Sequence, residues 1–587
     1  MPALPSAQLR VASLFDVDAA PLPGLAVVVV RLLGWLLFAV LLTWPVILKL
    51  DEVLIGNPDV DVWNHAWGYG WVARALGEGT FPYYTSLLGA PAGGKLYVAD
   101  LLGALLAAPL TALVGPGPTF NLVLIGRIAT AGLAAQLLAE ELLWGGASTE
   151  PASRRAGGVL AGLAYASSPF LLCELSNGIS EVCSLDWVAL TLLATVRALR
   201  GGGAGRWALV GALGALTTIA TFYYGLLTAI MAGLLVLGRF GTLLRRGEAR
   251  PMLWRVGLAV AVSLLLAGPF MIAFRASFEG PDALVERPME ISSVLLLHNA
   301  VDPWIYVRPG RFVSVDMRSF GESFLNTGYL RWTVLSLGAV ALVFRRGLGG
   351  WAGVGGVALV LGLGEFAFVN GEVLTVGGHP IPLPFAGLRA LLPKLAITHP
   401  LRLALGAQLV ACTLAGVGLA ELVRRKPSRA LACLVFAGGL VVAEGLFGSV
   451  SPWPLPRSDA AIPDVYAGLD ERPILDLPVE VGGSMRSSRH LWYQTRHGHP
   501  IPYVPDVRVW RTRDPETFLA LTSFNRQEFP SQLPAYVAKH IWRTYSAVIV
   551  HTDLEALAQK ARYRPILEPW FGLPEERGTL LVWRLQR

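Results

Sequence analysis

The chain has 587 residues, 54% of them hydrophobic and only 15% charged, against roughly 25% charged in soluble domains. A mean hydropathy of +0.53 places most of it in lipid and excludes an ordinary water-soluble enzyme. The net charge of +7 does not mark a nucleic-acid binder, because the arginines cluster in short gaps between apolar runs, the pattern of cytoplasmic loops.

Met1 to Pro23 carries Asp16 and Asp18, and the apolar run that follows, Ala26 to Leu50, is too long for the core of a signal peptide. It is read as an uncleaved first span. With the arginine clusters held inside, spans are expected near 26–48, 118–143, 157–172, 183–200, 206–221, 224–239, 253–275, 330–345, 349–368, 400–423 and 430–449. The fold class is thus a polytopic α-helical membrane protein, with a transmembrane part over 1–450 and about 11 spans. Eleven crossings that start inside leave loops 49–117, 276–329 and 369–399 outside, together with everything after 450. The first two loops are rich in acids: Asp51, Asp59, Asp61 and Asp100, then Asp282, Glu286, Asp302 and Glu322. The run Leu101 to Pro118 is interrupted by Pro109 and reads as re-entrant or interfacial. Tyr223 and Tyr224 tip a hairpin between two short spans. Beyond Pro452 the composition turns polar, and 451–587 reads as a small extracytoplasmic α/β domain. Strands are expected at PILDLPV, SAVIVHT and GTLLVWRL, and a helix at LEALAQKARY.

Three external stretches carry candidate chemistry. PDVDVWNHAWGYGW sets Asp59 and Asp61 before Trp63, His65, Trp67, Tyr69 and Trp71. The aromatics recur at helical spacing, as on an amphipathic helix along the membrane surface. In the bland reading one acid caps this helix and the tryptophans form an interfacial belt. In the sharper one the two carboxylates hold a divalent cation, Mg or Mn, or take a proton from a hydroxyl. CELSNGISE adds Glu174, Asn177 and Glu181 between two apolar runs, where ionisable groups are costly and usually face a cavity. LRALLPKLAITHPLR adds Arg389, Lys394, His399 and Arg402, the last at the outer end of a span. An arginine there either snorkels or binds a phosphate with its planar fork. P-loop, GxSxG, HExxH and strand-borne GxGxxG signatures are absent from the sequence.

Taken in order, PDVDVWNHAWGYGW, APAGGKLYVAD, AYASSPFLLCELSNGISE, the tyrosine pair 223–224, LPFAGLRALLPKLAITHPLRLAL and ILDLPVEVGGSMRSSRHLWYQTRHGHPIPY resemble the GT-C superfamily of polytopic glycosyltransferases. The resemblance spreads over most of the chain and implies transfer of a sugar from a polyprenyl-phosphate carrier to an extracytoplasmic glycan, lipid or protein, with inversion at the anomeric carbon. It implies that Asp59 or Asp61 is the first-loop acid, as general base or metal ligand. It further implies that Glu174 or Glu181 is the acid of the second external loop and that Arg402 contacts the carrier phosphate. Asn177, His65, Tyr223, Tyr224 and His399 are expected to line the substrate site. The setting expected is the bacterial inner membrane, N-terminus inside. The alternative is a lipid-linked glycan transporter or flippase, or a non-catalytic scaffold.

Overall fold

In hydrocarbon every backbone amide must find its partner within the protein, and a helix of leucine, valine and alanine does this locally. The computed structural model is accordingly mostly helical. It describes residues 18–585 except 22, 145–149, 246–248, 286–292, 294–295, 297–298, 311–327, 371, 393–396, 425, 449–452, 480–488, 506–513, 525–531 and 555–558. Glu286, Glu322 and Lys394, singled out above, lie outside the described residues.

The first half runs α1 (Leu25–Leu42), α2 (Val62–Gly77), α3 (Leu101–Val114), α4 (Pro116–Leu143), α5 (Pro151–Ala166), α6 (Pro169–Asn177), α7 (Leu185–Leu199), α8 (Ala204–Ala220), α9 (Phe222–Arg245) and α10 (Ala249–Ala276). The second runs α11 (Trp332–Phe344), α12 (Gly349–Leu361), α13 (Pro384–Leu391), α14 (Leu405–Val423) and α15 (Ala430–Phe447). The tail adds α16 (Arg489–His497), α17 (Pro515–Thr522), α18 (Ala535–Thr544) and α19 (Gln559–Phe571). Among the described residues, seven stretches are long and apolar enough to cross a membrane by length and composition: α1, α4, α5 with α6, α9, α10, 400–423 and 427–447. Four shorter apolar helices, α3, α8, α11 and α12, accompany them. The chain is a polytopic helical membrane protein.

The stretches 151–177 and 400–423 are almost wholly buried, whereas α1, α10 and α15 lie at the periphery. Leu264, Leu265, Ile272, Val435 and Phe436 are exposed on those outer helices, as side chains facing lipid would be. At the centre Gly157 and Gly416 abut so closely that a Cβ on either would strike the other's carbonyl oxygen. Small residues permit such backbone approach where no hydrophobic effect drives helices together.

Charged groups sort to two ends of the bundle. At one end Glu141 pairs with Arg197 at 2.6 Å and Arg200 at 2.8 Å, and Arg31 with Glu140 at 3.0 Å. Arg345 reaches the carbonyls of Leu142 and Leu143 there, at 2.9 and 3.0 Å. At the other end Glu444 caps α11, accepting from the backbone N–H groups of Trp332 and Thr333 at 2.5 and 3.0 Å. A carboxylate at a helix N-terminus is favourable by about 0.3–1 kcal/mol. Arg331, wholly buried at the start of α11, donates to the carbonyls of Ala164, Ser167 and Val441.

After α15 the chain returns to the first loop. β1 (Val53–Ile55) pairs antiparallel with β2 (Arg457–Asp459), Val53 opposite Asp459. A four-stranded sheet follows, made of β3 (Ile474–Leu477), β4 (Ala547–His551), β5 (Glu575–Arg577) and β6 (Leu580–Arg584), in the order β5-β6-β4-β3. β3 and β4 are parallel and the other pairs antiparallel. These strands stand where PILDLPV, SAVIVHT and GTLLVWRL place them. Of the helix expected at 554–563 the described part begins at Gln559, in α19.

Candidate active site

The first loop is fixed from both sides before it reaches its acids. Asn121, buried in α4, accepts from the Ile55 N–H at 3.0 Å and donates to the carbonyls of Leu50 and Val53 at 3.0 and 2.7 Å. Gly56 then crosses Gly178 so tightly that a Cβ on Gly56 would sit 2.8 Å from Gly178 Cα, and one on Gly178 2.7 Å from Val62 Cβ. Gly56 and Gly178 take φ of +135° and +73°, values that side chains rarely adopt. The Asn57 N–H donates to the Ser176 carbonyl at 2.8 Å. The two acid-bearing loops therefore touch. We expect Gly178→Ala to cost about 1–3 kcal/mol from overpacking, with further strain from its φ, and to lower the thermal unfolding temperature of the purified protein.

α2 begins right after Asp61, and the four aromatics on it, Trp63, Trp67, Tyr69 and Trp71, are buried. The expected belt facing the membrane interface is instead packed within the protein, because α16 covers the helix. Trp67 Nε1 donates to Gln494 Oε1 at 2.7 Å, and the Arg489 guanidinium lies 5.0 Å over the Trp63 ring. Asp61 occupies the N-cap position without a capping bond; its Oδ1 accepts from Asn64 at 3.4 Å. Asp59 is exposed.

Several of the other predicted groups neighbour one another. Glu174, 5% exposed on α6, shares its electrostatic surroundings with Arg402, Glu181, Asn177 and Asp61. Glu174 Oε2 has no hydrogen-bond partner among the described residues. Glu181 Oε2 lies 3.2 Å from His65 Nδ1 but out of line for a hydrogen bond, and Ser180 Oγ engages that nitrogen at 3.0 Å. The guanidinium of the half-buried Arg402 stacks 5.2 Å over the Tyr223 ring and makes no ion pair or hydrogen bond within the described residues. Tyr223 accepts from the Thr398 N–H at 3.1 Å, and Thr398 Oγ1 meets His399 Nδ1 at 2.8 Å. A guanidinium that closes no ion pair, near the carboxylates of Glu174 and Glu181, could meet an anion with a hydroxyl nearby. Tyr224 differs: it is wholly buried and donates to the Val182 carbonyl, which gives it a packing role.

A buried network behind this cluster is not evident in the sequence. Asp100, in a left-handed conformation at φ 56°, caps α3 through Gly103 N–H at 3.2 Å. Its carboxylate accepts from Tyr69 OH at 2.5 Å and from Arg127 Nη2 at 2.5 Å, and Arg127 Nη1 donates to the Ser180 carbonyl. Burial and then the Asp100 charge push the Tyr69 hydroxyl well above its ordinary pKa, keeping it a donor. Arg127 thus holds Ser180, and Ser180 holds His65. The signal available was Arg127 itself, a lone cation inside an apolar span, which points to a buried partner.

Asp59 and Asp61 belong to no group of three or more metal-ligating side chains among the described residues. One such group exists: Asp476, His490 and His551, whose ligand atoms all lie within 4.8 Å of one another in the tail.

The fold is similar to that of a solved membrane glycosyltransferase. Arabinofuranosyltransferase AftD from mycobacteria superposes on 97% of this chain with a TM-score of 0.54 and 17% identity. The match takes in 42% of AftD, so this chain spans less than half the length of that enzyme. The oligosaccharyltransferase of Archaeoglobus fulgidus, tethered to an acceptor peptide, covers 93% of this chain and 72% of its own at a TM-score of 0.46 and 11% identity. ArnT from Cupriavidus metallidurans, bound to undecaprenyl phosphate, covers 95% and 98% at a TM-score of 0.40 and 14% identity. The sequence matches no protein-family model and no curated protein.

Proposed function

We propose that the chain is a membrane glycosyltransferase that moves a sugar from a polyprenyl-phosphate carrier to an extracytoplasmic acceptor. The observation that carries this reading is the Arg402 guanidinium, which closes no ion pair among the described residues although the charges of Glu174 and Glu181 act on it. The fold shared with an arabinofuranosyltransferase supports sugar transfer as the class of reaction. In the bacterial inner membrane the face bearing these groups, and 451–587 as one domain, lie outside, with the N-terminus inside.

The reaction is a single in-line displacement. Asp61 takes the proton of an acceptor hydroxyl, and that oxygen attacks the anomeric carbon. The bond from carbon to the carrier phosphate breaks, and its electron pair stays on the phosphate oxygen, where Arg402 meets the new charge. The configuration at carbon inverts. Glu174, Glu181 and His65 bind and orient sugar hydroxyls, and Asn177, Tyr223 and His399 shape the wall. A Mg or Mn ion takes one or two carboxylates alongside substrate phosphates, a donor set that Asp59 and Asp61 offer, and would screen the phosphate charge.

The test is transfer by the purified protein from a panel of pentosyl and hexosyl polyprenyl phosphates. Turnover of at least one donor is expected. With it, Arg402→Gln should raise the KM for donor by about 10–100-fold, the loss of a charge-assisted contact worth about 1.5–3 kcal/mol. No turnover of any donor by wild-type protein would refute the reading.

A further inference from the structure

The tail sheet holds a polar cluster that the transfer reaction does not use. Asp476 on β3 is wholly buried, as are His490 on α16 and His551 at the end of β4. Their placement follows from strand geometry. Ile549 pairs with Asp476 across β3 and β4, so His551, two residues on, points to the same face as Asp476. α16 lays His490 over that face, its ring 5.2 Å from the His551 ring.

Hydrogen bonds account for only part of the cluster. Asp476 Oδ1 accepts from Tyr466 OH at 2.8 Å and meets His551 Nε2 at 2.8 Å. His490 Nε2 faces the Pro478 carbonyl at 3.3 Å. A carbonyl only accepts, so the His490 proton sits on Nε2 and its Nδ1 carries a lone pair. Asp476 Oδ2, His490 Nδ1 and His551 Nδ1 are all buried with no hydrogen-bond partner among the described residues. Two of these, Asp476 Oδ2 and His490 Nδ1, are acceptor atoms left unanswered in one buried cluster, at a cost of about 1–3 kcal/mol each.

We propose that Asp476, His490 and His551 bind a divalent transition-metal ion, of which zinc fits the donor set best. One carboxylate oxygen and two imidazole nitrogens are three ligands typical of Zn²⁺, and an outer donor or water completes four. Zn–N and Zn–O bonds of about 2.0–2.2 Å need ligand atoms closer together than their present spread of up to 4.8 Å, a contraction of about an ångström on ion entry. The N–H of His490 directed at a backbone carbonyl is the outer-shell contact that orients metal-bound histidines. At His551 the ion takes Nε2 in place of the proton now shared with Asp476 Oδ1, and the ring carries its proton on Nδ1 instead. Tyr466 OH, 2.8 Å from Asp476 Oδ1, remains as an outer-shell donor to the carboxylate.

The ion would act as a rivet. α16 carries His490 and also Gln494 and Arg489, which hold Trp67 and Trp63 on α2. Fixing α16 to the sheet therefore seats the helix that begins at Asp61.

The experiment uses the full chain, purified without a polyhistidine tag and equilibrated with Zn²⁺ before removal of free metal. Elemental analysis should return about one zinc per chain, and a strong chelator should lower the unfolding temperature, with Zn²⁺ restoring it. Co²⁺ in place of zinc should give the visible bands of a four- or five-coordinate site, and competition with Zn²⁺ should abolish them. His490→Gln and His551→Gln should lose the metal while keeping helical circular dichroism. Should either variant fail to fold, stoichiometry and the Co²⁺ spectrum of the wild type still decide. Less than about one zinc in ten chains, with an unfolding temperature indifferent to chelator, would overturn the proposal and leave a hydrogen-bonded cluster only.

Discussion

Asp61→Asn is expected to lower sugar transfer by about 10²–10⁴-fold, the range a positioned general base supplies, with little loss of stability. The stability forecast rests on how little the side chain does for the fold: one contact of 3.4 Å with Asn64 and no capping bond. The activity forecast rests on its neighbours, since the charges of Asp61 and Arg402 both act on Glu174. Asp59→Asn, at an exposed position, should fall less, and if a cation joins the two carboxylates the loss should shrink at high Mg²⁺. Single-turnover transfer by both variants, beside their unfolding temperatures, measures this. Equal loss in the two, or none in either, would take the base away from Asp61.

The second large effect concerns stability. Asp100→Ala leaves Arg127 buried without its ion-pair partner, with only the more distant Asp186 charge to offset it, and strips Tyr69 of its acceptor. Breaking a buried pair from one side typically costs about 3–5 kcal/mol. Asp100→Ala should therefore unfold well below wild type in detergent. The double variant Asp100→Ala, Arg127→Met should recover part of the loss, because the orphaned charge has gone. Transfer should fall in the single variant too, since Arg127 holds the Ser180 carbonyl and Ser180 in turn meets His65. Unchanged unfolding of Asp100→Ala would show that water reaches the pair and pays its solvation.

What could be read in advance depended on the range of the interaction. Spans followed from apolar length, and the arginine clusters anticipated the sorting of helix ends, with Glu141 drawing Arg197 and Arg200 together. Asp61, Glu174, Glu181 and Arg402 stand out in the sequence because each is an ionisable group at the edge of an apolar run, where its burial is costly. The tryptophans of α2 were misleading. Helical spacing of aromatics looks the same whether the face meets lipid headgroups or another helix, and the partner, Gln494, lies 427 residues away. Asp100 and Arg127 are 27 residues apart on different helices, and no local pattern links them. The Gly56–Gly178 crossing was equally hidden, since a glycine in a loop does not say what it must make room for.

A structure of the protein with undecaprenyl phosphate tests the central claim most directly. The phosphate should lie in the cleft between 57–61 and 174–181, with its oxygens about 2.7–2.9 Å from the Arg402 guanidinium and the isoprenoid chain leading off between helices into the bilayer. A phosphate bound at the opposite end of the bundle, beside Glu141 and Arg200, with Arg402 untouched, would contradict it.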